Sequence, residues 1–157
     1  RTYGNVTSVF PIIPTSVITG PGTISVPPGP GTPYTQWADS FLPNDVSSPS
    51  GDNDHDGLNN QQEFAFGLDP LDGSSVNPIL VQLDKTNGTF TYRRRAGTSL
   101  TYRIFTSTSL ITNSWTEDTA ATLGQVATPV GSNENVVVTL TGAPFTAPSL
   151  FVRVAAD

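Results

Sequence analysis

Residues 52–63 carry the chemistry most plainly. They read Asp52-Asn-Asp54-His-Asp56-Gly57-Leu58-Asn-Asn60-Gln-Gln-Glu63. Oxygen-bearing side chains stand at the first, third, fifth and ninth places, glycine at the sixth and glutamate at the twelfth. This is the ligand order of an EF-hand loop. Ca²⁺ is a hard cation that takes about six to eight oxygens, and carboxylates this close together repel one another without a cation between them. The pattern assigns Asp52, Asp54 and Asp56 as carboxylate ligands and Leu58 as a backbone-carbonyl ligand. Asn60 binds directly or through water, and Glu63 binds through both oxygens. Asp69, a few residues on, either caps a turn or supports the site. One loop between short helices, with no paired partner loop, points to a structural ion and not to a sensor.

Two helices must hold the loop. Tyr34, Trp37 and Phe41 recur at helical spacing and form an aromatic face, which Leu42-Pro43 ends. A second short helix runs from about Asn60 to Phe66, with Gly67 as its stop and Pro70 barring extension. Phe64 and Phe66 are expected to pack on the aromatic face of the first helix.

From residue 76 the chain reads as β. Ile79–Asp84 and Thr89–Arg95 are strands joined by a Lys85-Thr-Asn87-Gly88 hairpin turn. Ser99–Thr106, Val136–Thr141 and Leu150–Val154 follow. Leu100, Tyr102 and Ile104 alternate onto one face, as do Val136, Val138 and Leu140. This predicts a mainly β fold: an antiparallel β-sandwich, jelly-roll or Ig-like, with a small helical calcium-loop insertion and an extended N-terminal segment. Three zones result: 1–33, an extended Pro/Gly-rich segment; 34–72, short helices and the loop; 73–157, the sandwich. Residues 108–135 give no clear strand, apart from a turn at Gly131-Ser132-Asn133 and Trp115 as an inward anchor.

The leader is unlike the rest. Residues 1–33 hold seven of the 14 prolines, and no charged residue occurs between Arg1 and Asp39. Val9, Phe10, Ile12, Ile13, Val17 and Ile18 are more large apolar residues than a solvated linker carries. Proline cannot donate to a ladder, so this segment suits an edge strand or a groove, and these six residues are the expected subunit contacts.

The net charge of −6 and pI of about 4.4 argue against nucleic acid and anionic membrane as partners. No apolar run reaches the ~20 residues of a membrane span. The only basic cluster, Arg93-Arg94-Arg95, lies in a strand and is expected to pair across it with carboxylates. Cysteine is absent, His55 is the sole histidine, and no nucleophile–base set stands out, so no enzymatic activity is expected. Metal replacing disulfides, calcium plentiful outside cells and a start at Arg1 without Met together suggest a secreted or cell-surface protein whose signal peptide has been removed. Asn5-Val-Thr7 and Asn87-Gly-Thr89 match the glycosylation sequon, although Asn87 also suits a plain hairpin turn.

The run from Asp52 to Pro70 resembles the thrombospondin type 3-like calcium repeat of bacterial secreted surface proteins, D-x-D-x-D-G-L-x-N-x-x-E-(Y/F)-x-x-G-x-D-P, at every fixed position. The resemblance extends loosely over residues 34–157, where a β-sandwich often follows the repeat. It implies an extracellular structural role and no activity. The whole plan also resembles protomers of bacterial extracellular fibrils, in which an N-terminal extension completes the next sandwich. The functions expected are therefore a homopolymeric, calcium-stabilised filament subunit or, alternatively, an adhesin or carbohydrate-binding sandwich on a stalk. In the second case Tyr3, Tyr34 or Trp115 would form a sugar platform, and glycans would be the partners.

Overall fold

The computed structural model describes residues 31–110 and 114–157. The leader contacts expected at Val9, Phe10, Ile12, Ile13, Val17 and Ile18, the Asn5 sequon and Tyr3 lie outside them.

The helical zone is built by its caps. Helix α1 (Pro33–Asp39) starts with proline in its first turn, where no amide partner is needed, and Thr32 caps it by accepting from the Thr35 N–H at 3.2 Å. Helix α2 (Asn60–Phe66) opens on a reciprocal box between Asn59 and Gln62. Gly67 ends it in the left-handed conformation, φ +63°, and a Cβ there would run into the side chain of Asn133. Trp37, Ala38, Val46 and Phe64 form a buried cluster, with Tyr34, Phe41 and Leu100 packed around it. Phe64 meets Tyr34 and Trp37 at ring-centroid distances of 5.3 and 5.5 Å. Phe66 does not join them. It faces the sheets and meets Tyr102 and Tyr92 at 6.0 and 6.4 Å, because residues two apart on a helix project about 200° apart and only one of the two can face α1.

The fold is mainly β, with two antiparallel sheets. Strands β1 (Ile79–Asp84), β2 (Thr89–Arg95), β5 (Val126–Val130) and β6 (Asn133–Thr139) form one sheet in the order β1-β2-β6-β5. Strands β3 (Tyr102–Ser107), β4 (Thr116–Glu117) and β7 (Phe151–Ala156) form the other, ordered β4-β3-β7. β2 and β6 pair without a slip from Thr89↔Thr139 to Arg95↔Asn133. Phe90, Tyr92, Val136 and Val138 therefore alternate inward together, as the period of two requires. Tyr102 and Ile104 from β3 enter the same cluster, with Val152, Val154 and Ala156 of β7 packed against it. Both sheets thus line one core, an arrangement consistent with a sandwich. Leu100 touches this core and the aromatic cluster alike.

The stretch left open between residues 108 and 135 contains β4, helix α3 (Thr119–Leu123) and β5. Asp118 caps α3, accepting from the Ala121 N–H at 3.0 Å, and also accepts from Thr141 N, Gly142 N and Thr141 Oγ1 at 2.8–2.9 Å. Trp115 is not an inward anchor. It is half-buried and carries the Arg153 guanidinium over its ring at 4.9 Å, outside the core cluster.

Candidate metal centre

The loop lies between Gly51 and α2, and its own backbone shapes it. Asp52 Oδ2 accepts from the Gly57 N–H at 3.2 Å, Asp54 Oδ1 from the Asp56 N–H at 3.3 Å, and Asp56 Oδ1 from the Leu58 N–H at 2.7 Å. Each aspartate spends one oxygen folding the loop. Gly57 takes φ +94°, a conformation costly for any residue with a Cβ. His55 also takes a positive φ, +63°, and is exposed.

The other oxygen of each aspartate is the informative one. Asp52 Oδ1, Asp54 Oδ2 and Asp56 Oδ2 are buried and have no hydrogen-bond partner. So are Asn60 Oδ1 and both oxygens of Glu63. Ligand atoms of Asp52, Asp54 and Asp56 lie within 4.8 Å of one another, close enough to hold one metal ion. A buried polar atom without a partner costs about 1–3 kcal/mol, more if charged. An all-oxygen set of this kind answers the chemistry of a hard cation. The residues present therefore fit the ion that the loop pattern implies.

Asn60 is placed by more than its position in the loop. Its amide nitrogen donates to the carbonyls of Ser48 and Val46, at 2.9 and 3.3 Å, and to Asn53 Oδ1 at 3.0 Å. Asn53 in turn donates to the Asp45 carbonyl at 2.9 Å. With its nitrogen fully used, Asn60 is left with its oxygen free. Asn53 was not among the residues expected at the site, and no regularity of spacing points to it. Leu58 is half-buried in the loop. Asp69 stands apart from the aspartate triad: it is exposed, and its Oδ1 accepts from the Leu71 N–H at 3.1 Å, the turn-capping alternative.

Glu63 is completely buried. Burial raises its pKa first, and Asp54, Asp56, Asp52 and Asp69 add to this, so the carboxyl is pushed up to about 7. A cation among these carboxylates reverses the balance.

α2 transmits the site to the sheets. Its carbonyls at Phe64 and Ala65 accept from Arg95 Nε, at 3.1 Å, and from the Tyr102 hydroxyl, at 2.7 Å. Of the arginine run, Arg94 pairs across β2–β6 with Glu134 at 2.8 Å, as expected. Arg95 instead lies over the rings of Phe64 and Trp37, so the run is not a row of carboxylate pairs.

Asn87 is exposed in the β1–β2 turn and donates to Asp84 Oδ2 at 2.6 Å. Tyr34 donates its hydroxyl to the Val46 carbonyl at 2.9 Å and packs, half-buried, against the aromatic cluster. No described helix is long and apolar enough to cross a membrane. Compared with known proteins, the chain matches no family model, no curated protein and no solved structure.

Proposed function

We propose that this protein is a non-enzymatic structural subunit of an extracellular or cell-surface filament, braced by one Ca²⁺ ion and polymerising head to tail through its N-terminal segment. The observation that carries the reading is the leader: some thirty residues without charge after Arg1, with Val9, Phe10, Ile12, Ile13, Val17 and Ile18 among the large apolar side chains of its first half and a Pro/Gly spacer as its second. Burying each of these side chains in a neighbouring copy contributes about 1.5–3 kcal/mol before entropy costs. Head-to-tail contacts that do not close produce filaments. The calcium assignment rests on the six buried, unpartnered oxygens of Asp52, Asp54, Asp56, Asn60 and Glu63. Ca²⁺ is favoured over Mg²⁺ because the set is wholly protein oxygen, whereas Mg²⁺ usually keeps several waters.

The strand order supports an Ig-like sandwich over a jelly roll. β1-β2-β6-β5 follows the order of a four-stranded Ig sheet, and β3 beside β7 follows the start of its partner sheet. The short β4 beside β3 fits the Ig variants that add a strand to this sheet; the departure is that, among the described residues, no strand lies beyond β7.

Negative-stain electron microscopy of the chain in calcium, beside a version lacking residues 1–20, tests the function. Filaments only with the leader are expected. Filaments from both versions would refute it. The second reading, a carbohydrate-binding module, is favoured by one arrangement: Arg153 lies between the rings of Phe105 and Trp115, at 4.8 and 4.9 Å, on the outer face of its sheet. Glycan-dependent protection of Trp115 from acrylamide would support it. Sequon use at Asn5 or Asn87 would raise the intact mass above 16.6 kDa.

A further inference from the structure

The two sheets have four outer strands, and three of them are protected against pairing. β1 is broken by register shifts, β5 carries Pro129, and β4 is two residues long. Bulges, proline and shortness are the usual protections of an edge. β7 has none of these. It runs six residues, pairs in continuous register with β3 on one side and, among the described residues, has no strand on the other.

The backbone of β7 shows which groups face the open side. Asp157 and Thr101, just beyond the paired ends, exchange both backbone hydrogen bonds at 3.0 Å. Bonded and non-bonded pairs alternate along an antiparallel ladder. Ala155, Arg153 and Phe151 therefore turn their N–H and C=O toward β3, and Ala156, Val154 and Val152 turn theirs outward. The side chains of the same three outward residues pack against the core yet are only half-buried. The one charged side chain of the strand, Arg153, is occupied with Phe105 and Trp115. Hollows flank the strand at both ends. One lies between Val154–Asp157 and Gln62, Ala65 and Phe66 of α2. The other lies between Leu150–Val152 and Ile79 and Leu83 of β1.

We propose that this open edge of β7 is the acceptor site for the leader of a second copy of the chain, added as a strand between Val6 and Ile18. The inference rests on the filament reading and names its contact surface. The leader offers what the edge lacks: apolar, β-branched side chains for the half-covered core and an uncharged backbone for the unpaired row. Pro11 and Pro14 have opposite parity, so the bonded stretch lies to one side of at least one of them. The stretch from Gly20 to Gly31 has a fully extended length of about 40 Å.

Two full-length variants test this. Val154→Pro removes one outward N–H and no bond to β3, which an edge strand tolerates. A leader variant carrying Val9→Asp, Phe10→Asp, Val17→Asp and Ile18→Asp blocks the donor in either register. Sedimentation velocity in calcium should show polymers for the wild type, monomers for each variant alone, and a discrete heterodimer when the two are mixed. Calcium-dependent thermal unfolding verifies that Val154→Pro is folded; if it is not, Ala156→Pro blocks the same row at its end. Polymerisation of the folded proline variant like the wild type would overturn the β7 assignment and leave the filament reading standing. Monomeric variants that fail to combine would overturn the donor–acceptor pairing. A monomeric wild type would overturn both.

Discussion

The Tyr102 hydroxyl donates to the carbonyl of Ala65 at 2.7 Å, tying the β core to the helix on which Glu63 stands. The bond is buried, and Arg95 makes a parallel link to the carbonyl of Phe64. The candidate metal loop, which leads into this helix, is therefore tied to the scaffold of the sheets.

Tyr102→Phe keeps the ring in place but leaves the Ala65 carbonyl without its donor. A loss of about 1–3 kcal/mol in stability is expected. Urea unfolding in excess calcium measures it, and a change within error would show that the link is idle.

Glu63→Gln should act in opposite directions with and without the ion. The charge lost from the ligand set weakens Ca²⁺ binding, on the order of a hundredfold. The same change removes a buried carboxylate that Asp52, Asp54 and Asp56 repel. At pH 7.5 the chelated variant should therefore melt above the chelated wild type, while in calcium the order reverses. Melting curves in calcium and in EDTA display both orders.

The raised pKa of Glu63 also sets a pH dependence. Without metal its folded value is about 7, against an ordinary value of 4.5. Between these the folded chain holds a proton that the unfolded chain has lost. The contribution of Glu63 to metal-free stability is thus fully present below about pH 4.5 and is lost as pH rises through 7. Calcium must displace that proton, so binding weakens as pH drops below 7. Calorimetric titrations at pH 5.5 and 7.5 should show lower affinity and greater proton release at the lower pH.

Asp118 carries the opposite sign. Burial raises its pKa, but bonds from Gly142, Ala121 and Thr141 outweigh this and hold it below the ordinary 3.8. Its contribution is present above that value and lost as pH falls through the lowered folded one. Asp118→Asn cannot accept from both sides, so it should cost about 1.5–3 kcal/mol at pH 7 and flatten the acid limb of the stability curve.

Much of this was legible in the residues, for identifiable reasons. The gathering of Asp52, Asp54 and Asp56 follows from their alternate spacing in a tight loop, and α2 is bounded by strong local signals, Asn59 before it and Gly67 after. β1 and β2 were readable because apolar runs flank an Asn-Gly turn. β5 was not: all five of its residues are exposed, so it shows no alternation, and Pro129 argues against a strand anywhere but at an edge. Helix α3 is a single polar, Thr-rich turn, announced only by Asp118 in front and Gly124 behind. That Phe64 and Phe66 cannot share a face follows from their spacing on α2, but that Phe66 meets Tyr92 and Tyr102 depends on how the sheets pack. Asn53 joins the site only through the folded path of residues 45–48.

The most direct measurement is calorimetric titration of the chelated full-length chain with Ca²⁺, followed by its thermal unfolding at saturation. One ion per chain is predicted. At a hundredfold excess over Kd the native state should gain about 2.7 kcal/mol, raising Tm on the order of 10 °C. No binding heat together with an unchanged Tm in calcium and in EDTA would contradict a calcium-braced fold.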